Sequence, residues 1–289
     1  MLLLTLFNLA VLQVPDADLV SVPAGEFTMG RALSAHDDEK PAHRVRISAF
    51  SMQRTLVTVG DFKKYVARTG AKTTAETLGY AMVATEGLGE WEWKRVPGAS
   101  WRAPFGPGGV ADFEPRDDLP VTTVSWADAD AYCRSVAMRL PTEAEWEYAM
   151  RAGATTRFPW GDSPLLADGG VGLNFWQGDH HENQRLDGYV YLSPVKAFGP
   201  NAFGLYDPVG NVWQWVADWY AADAYSQAGA VAVNPTGPKH GTQRVTRGGS
   251  WWCSKKTCTG YGLFARGKAL PNAPFNNNGF RCVKDGSVR

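Results

Sequence analysis

The sequence has no surplus of charge of either sign: 29 Lys and Arg stand against 29 Asp and Glu in 289 residues. Without a cationic excess there is no general footprint for a phosphate backbone or an anionic lipid surface. Neither nucleic acid nor a membrane surface is therefore expected as a partner. No run of about 18 apolar residues occurs, so no transmembrane helix is expected. A P-loop, a G-x-G-x-x-G after a strand and a G-x-S-x-G elbow are all missing, which leaves nucleotide binding and serine hydrolysis unsupported. Cysteine is scarce, at four residues, and none of it falls into the paired C-x-x-C spacing of a structural zinc site.

Glycine, proline and tryptophan are plentiful, at 31, 18 and 12 residues. The first two punctuate helices and strands, and the third supplies large anchors between loops, so the composition describes a loop-rich fold held by aromatic packing. With 44% hydrophobic residues, and no repeat or linker-like stretch, one domain is expected. Met1 to Val14 has the length of a signal-peptide apolar region but no basic residue before it and no A-x-A site after it. The reading is a leader over residues 1–19, a domain over 20–289 and secretion or a periplasmic location. The alternative is an apolar first element in a cytoplasmic protein.

Val20 to Met29 alternates like a strand interrupted by Pro23-Ala24-Gly25, and His43 to Met52 reads as one strand. Three helices carry start signals: Thr58 with Asp61, running to Ala67; Ser125 with Asp128, to Ala137; and Thr142 with Glu145, to Arg151. Between Thr69 and Pro120 the sequence predicts a long loop with Trp91, Trp93 and Trp101, a length that marks either function or hidden structure. After Arg151 helix signals are few.

Glu143, Glu145 and Glu147 lie near a helix N-terminus, where the dipole accounts for at least the first two. His180-His181-Glu182 lacks the H-E-x-x-H pattern and reads as a polar loop. Cys253 and Cys258, five positions apart, leave three readings open: a local disulfide, a soft low-coordinate ion such as Cu(I), or inert core thiols. Lys255 and Lys256 between them favour thiolates, and Gly248-Gly249 before them allows close backbone approach.

Nine ordered strings carry a resemblance: Val22-PAGEFTM-Gly30, Glu39-KPAHR-Val45, Pro120-VTTVS-Trp126, Arg139-LPTEAEWE-Tyr148, Phe158-PW-Gly161, Asn201-AFGL-Tyr206, Gly210-NVWQ-Trp215, Arg247-GG-Ser250 and Asn278-GF-Arg281. From Val20 to Asp285 the chain resembles the formylglycine-generating enzyme (sulfatase-modifying factor) family. The resemblance implies an α+β fold: one loop-rich domain with little regular secondary structure and a C-type-lectin-like core. It implies a copper-dependent, oxygen-using oxidase, acting as a monomer, that converts a cysteine in a C-x-P-x-R segment of an unfolded sulfatase-type polypeptide to formylglycine. The alternatives on the same scaffold are a non-catalytic binding protein and an oxidase of another peptide-derived substrate.

By the same resemblance Cys253 and Cys258 hold Cu(I), Ser250 lies beside the copper, and Trp213 walls the oxygen pocket. Arg266, Asn277 and Trp252 fall at the substrate groove. Cys133 and Cys282 match a disulfide that would close a loop of about 150 residues, worth roughly 4 to 5 kcal/mol in the entropic treatment. Calcium is implied at two sets: Asn174, Phe175, Asp187 and Tyr189, and then Asp207, Gly210, Val212 and Gln214. Three departures stand out. Asp207 and Gln214 replace the usual Asn and Glu, Thr257 replaces the usual Tyr before the second cysteine, and Thr259-Gly260-Tyr261-Gly262 replaces a Tyr-Arg-Tyr-Arg-like segment.

Overall fold

The computed structural model describes residues 14–89, 91–179, 182–254 and 260–286. The leader through residue 13, His180 and His181, and the segment with Lys255, Lys256, Thr257, Cys258 and Thr259 lie outside the described residues.

The Pro-Ala-Gly break separates β1 (Leu19–Val22) from β2 (Gly25–Met29). The predicted strand His43 to Met52 is likewise two strands, β3 (His43–Ile47) and β4 (Phe50–Gln53). β2 pairs antiparallel with β3, whereas β1 pairs antiparallel with β4 in another sheet. At the crossing the Ser48 amide donates to Asn234 Oδ1 at 2.8 Å instead of to a neighbouring strand. Alternation continues through this point, so periodicity alone could not show the division.

Helix α1 (Val59–Thr69) runs two residues past the predicted end, to a left-handed Gly70. The predicted loop after it is a second correction: it contains α2 (Thr74–Leu78) and the hairpin β5 (Tyr80–Val83) with β6 (Lys94–Pro97). A capping box, Thr73 with Glu76, starts α2, but only five residues follow before left-handed Gly79, too few for a periodicity to register. Helices α3 (Trp126–Ser135) and α4 (Glu143–Arg151) begin at the expected capping boxes, each supplying acceptors to orphan amides for about 1 kcal/mol. Helix α3 stops short of Ala137, whose φ of 56° is not helical.

The second half is short strands between turns: β7 (Gly178–Asp179), β8 (Glu182–Asn183), β9 (Trp213–Trp219), β10 (Ala232–Val233), β11 (Arg244–Arg247), β12 (Arg266–Ala269), β13 (Asn278–Gly279) and β14 (Val283–Asp285). The largest sheet has the order β12-β11-β9-β13; two three-stranded sheets run β1-β4-β14 and β10-β3-β2. Helix α4 packs on β2, β3, β9 and β11 and buries eight of its nine residues, Trp146 completely. A disulfide joins Cys133 of α3 to Cys282 before β14, with Cα atoms 5.6 Å apart, as the resemblance implied. Among the described residues no helix is long and apolar enough to cross a membrane.

Candidate active site

Strand β11 ends at Arg247, and Gly248 and Gly249 then turn the chain with φ of 91° and 73°. A Cβ on Gly249 would lie 2.6 Å from the Tyr261 Cα, so the close approach to the returning chain admits only glycine. The turn delivers Ser250 and Cys253 into the interior, at 0% and 1% exposure. The Cys253 sulfur lies 3.4 Å from the Ser250 amide and 3.9 Å from its hydroxyl oxygen. Asn277 Nδ2 donates to the Ser250 hydroxyl at 3.1 Å, and the Trp252 amide donates to the same oxygen at 3.3 Å. The Trp176 amide holds the Cys253 carbonyl at 2.8 Å. Cys253 is disulfide-bonded in this structure, and Cys258 lies outside the described residues.

Above this floor is a groove of about 580 Å³, walled by Trp213 of β9, by β12, and by Trp91 and Trp93 from the connection between β5 and β6. Trp91, Trp93, Trp213 and Asn277 also line the small cavity that reaches Ser250, Trp252 and Cys253. The groove and the small cavity at the sulfur thus share a collar of indoles. Asn276 fixes that collar: its side chain accepts from the Ala84 amide at 3.0 Å and donates to the Ala84 carbonyl at 2.9 Å, tying the hairpin to the strand beside Asn277. Trp252 stacks edge-on against Trp176 with centroids 4.7 Å apart. The structure therefore brings Cys253, Ser250, Trp213, Trp252 and Asn277 together.

Arg266 lines the groove, but its guanidinium is turned inward. It donates to both Glu143 carboxylate oxygens and to the carbonyls of Asp38 and Ala221. Trp91 and Trp93 were not singled out as site residues from the sequence. The signal that could have found them was the length of the predicted loop and its tryptophans.

Calcium has a fitting donor set at the first position. Asn174 Oδ1 is buried without a hydrogen-bond partner. The Asp187 carboxylate accepts from the Gln177 side-chain nitrogen at 2.6 Å and from the Phe175 amide at 3.0 Å, and the same Gln177 nitrogen also donates to the Phe175 carbonyl. Burial pushes the Asp187 carboxyl up, against the lowering effect of the Tyr189 amide at 2.9 Å. An orphan Asn174 carbonyl oxygen, with a buried carboxyl whose ionisation burial disfavours, is what a hard cation would satisfy. The Tyr189 carbonyl is 3.3 Å from Asn183 Nδ2.

The second set does not fit a cation as arranged. Gln214 Oε1 accepts from Trp146 Nε1 and from Arg281 Nε, both at 2.9 Å, so both of its lone pairs are engaged. The Arg281 guanidinium also lies 3.0 Å from the Asp207 carbonyl, and the Val212 amide takes the Gly210 carbonyl at 2.8 Å. Burial raises the Asp207 carboxyl, with the Arg281 charge opposing.

A fold of small sheets around one buried helix, with a cysteine sulfur and a hydroxyl beneath an indole-walled groove, has clear relatives. The Sulfatase-modifying factor enzyme 1-like domain family matches residues 9–286. The formylglycine-generating enzyme of Bos taurus is 41% identical over 94% of this chain and 75% of its own length. That of Thermomonospora curvata is 40% identical over 92% and 93%. Among solved structures, PvdO from Pseudomonas aeruginosa superposes with a TM-score of 0.66 at 25% identity, covering 93% of this chain and 94% of its own. The chain belongs to the sulfatase-modifying factor family of enzymes.

Proposed function

We propose that this enzyme oxidises a cysteine in a C-x-P-x-R segment of an unfolded sulfatase-type polypeptide to formylglycine, using dioxygen and Cu(I) held by Cys253 and Cys258. The observation that carries the reading is the placement of the Cys253 sulfur, beside the Ser250 hydroxyl, under the indole collar of a groove of about 580 Å³. The wall is apolar and the donor soft, which suits a soft monovalent ion. Two thiolates are needed, so the disulfide at Cys253 must be reduced before the metal binds. When bound, copper supplies the electron transfer to dioxygen that the side chains cannot perform.

The protein's own groups orient and exclude. Asn277 fixes the Ser250 hydroxyl, Trp213 and Trp252 keep water from the sulfur, and the groove aligns the peptide so that its thiol reaches the floor. The balance is one substrate thiol, one dioxygen, two electrons and two protons in, and one aldehyde, one hydrogen sulfide and one water out. The two electrons come from a thiol reductant. Calcium at Asn174, Phe175, Asp187 and Tyr189 would brace the segment that leads into Trp176 and thus the Cys253 carbonyl. The Thr257 and Thr259 to Gly262 departures bear on the oxygen chemistry or on peptide binding.

The test is incubation of reduced, Cu(I)-loaded protein with a C-x-P-x-R peptide, oxygen and a thiol reductant, read by mass spectrometry. Conversion of cysteine to the aldehyde is expected, with loss of product in Cys253→Ala and Cys258→Ala. Absence of product with the unaltered chain overturns the reading.

A further inference from the structure

Arg247 and Arg266 face each other as register partners of β11 and β12, and the connection between them, residues 248–265, carries Ser250 and Cys253. Both guanidiniums are fully buried. Two like charges opposite each other across a strand pair repel, more so where water is excluded. Glu143 of α4 lies between them. Its Oε1 accepts from Arg247 Nη1 and Arg266 Nε, each at 2.7 Å, and its Oε2 accepts from Arg266 Nη2 at 3.0 Å. One helical turn on, Glu147 takes the other side of Arg247 and also pairs with Arg151 at 2.9 Å. Arg247 Nη2 reaches the Leu263 carbonyl at 2.8 Å, inside the returning half of the connection. Position in a first helical turn explained Glu143 and left Glu147 unexplained; burial against three guanidiniums accounts for both.

We infer that Glu143 is a positioning residue, whose bridge between Arg247 and Arg266 clamps the base of the segment that sets Ser250 and Cys253 beneath the groove. It touches no reacting atom. Its charge cancels the repulsion at the hairpin base, and through Arg266 it also anchors the Asp38 and Ala221 carbonyls. Burial opposes ionisation of Glu143, and the Arg266 and Arg247 charges outweigh it, so the carboxyl stays ionised. The assignment rests on Cys253 being a reaction-site thiol.

The experiment compares unaltered protein, Glu143→Gln, Glu143→Asp and Glu145→Gln, each reduced and confirmed folded by circular dichroism at the assay temperature. Two readouts are taken: the rate of iodoacetamide alkylation at Cys253, resolved by mass spectrometry, and kcat and KM for the C-x-P-x-R peptide. Glu143→Gln is expected to alkylate at least fivefold faster and to lose at least tenfold in kcat, with a smaller change in KM. Glu143→Asp, too short to reach both guanidiniums, is expected to fall between. Glu145→Gln, which alters the helix cap, is expected to lower Tm and leave both readouts unchanged. Alkylation and kcat of Glu143→Gln within twofold of the unaltered protein overturn the clamp. Should Glu143→Gln not fold, Glu143→Asp is read by the same criteria. If the unaltered protein makes no product, the functional reading fails while alkylation still decides the clamp.

Discussion

Asn277 donates a hydrogen bond to the hydroxyl of Ser250 across 27 positions of sequence, and both residues are almost fully buried beside the Cys253 sulfur. The pair joins the turn after β11 to the turn that leads into β13, two segments that meet only in the folded chain. The hydroxyl so held lies 3.9 Å from the Cys253 sulfur, and the Ser250 amide lies 3.4 Å from the same sulfur.

Ser250→Ala and Asn277→Ala are each expected to lower kcat for the peptide by roughly 10- to 100-fold, the effect of about 1 to 3 kcal/mol for a buried hydrogen bond at a reacting centre. The double variant should lose less than the product of the two, with a coupling of about 1 kcal/mol, because either substitution already breaks the same bond. Independent, multiplicative losses would show that the contact does not matter to the reaction.

Removing the bridge between α3 and the C-terminal strand is expected to lower stability by about 4 to 5 kcal/mol in Cys133→Ala/Cys282→Ala, since the cross-link closes a loop spanning 149 positions. Differential scanning calorimetry should show a fall in Tm on the order of 10 °C. Peptide conversion at low temperature should survive, as neither cysteine lines the groove.

Asp218 gives the fold a pH dependence. Burial, and then the neighbouring Glu143 charge, push its carboxyl up to about 8 from an ordinary value of 3.8, while the Glu143 amide at 2.8 Å opposes the rise. The folded state therefore binds a proton that the unfolded chain has released between those values. That contribution is intact below about pH 4, erodes as pH rises and is gone above about pH 8. Asp218→Asn, which keeps the acceptor for the amide, is expected to flatten the decline of Tm between pH 5 and pH 9. An unchanged slope would show that the carboxyl titrates normally.

Chelation of calcium by EGTA is expected to lower Tm, with a shift equivalent to about 2.7 kcal/mol when free calcium had been a hundredfold above Kd. Asp187→Asn should abolish that response, whereas Gln214→Ala should leave it in place because the Gln214 carbonyl is committed to Trp146 and Arg281. A calcium response lost on altering Gln214 and kept on altering Asp187 would reverse the assignment.

Local chemistry made part of this molecule readable before any coordinates. Thr58, Ser125 and Thr142 start helices because each has its carboxylate three residues on, an interaction complete within one turn. The Arg247 to Ser250 string and Cys253 after it marked the segment that the fold places under the indole-lined groove. The hairpin of β5 and β6 was hidden, because its strands take their place from pairing with each other and from Asn276, some 190 residues away. Arg266 lines the groove, and its inward direction was invisible in the sequence: Glu143, Asp38 and Ala221, which turn it inward, are scattered through the chain.

The sequence by itself determined where the helices start, where the chain must turn through glycine, and which residue types could hold a soft metal, because each depends on neighbours within a few positions. The tertiary structure decided which sheet each short strand joins, that Trp91 and Trp93 wall the groove, and that Gln214 is a buried structural amide. It also decided that Glu143 at the start of α4, and Glu147 one turn further on, pair with the buried Arg247, Arg266 and Arg151. Those outcomes rest on burial and pairing between distant segments, where exclusion of water makes an unpaired charge or amide costly and so selects one arrangement.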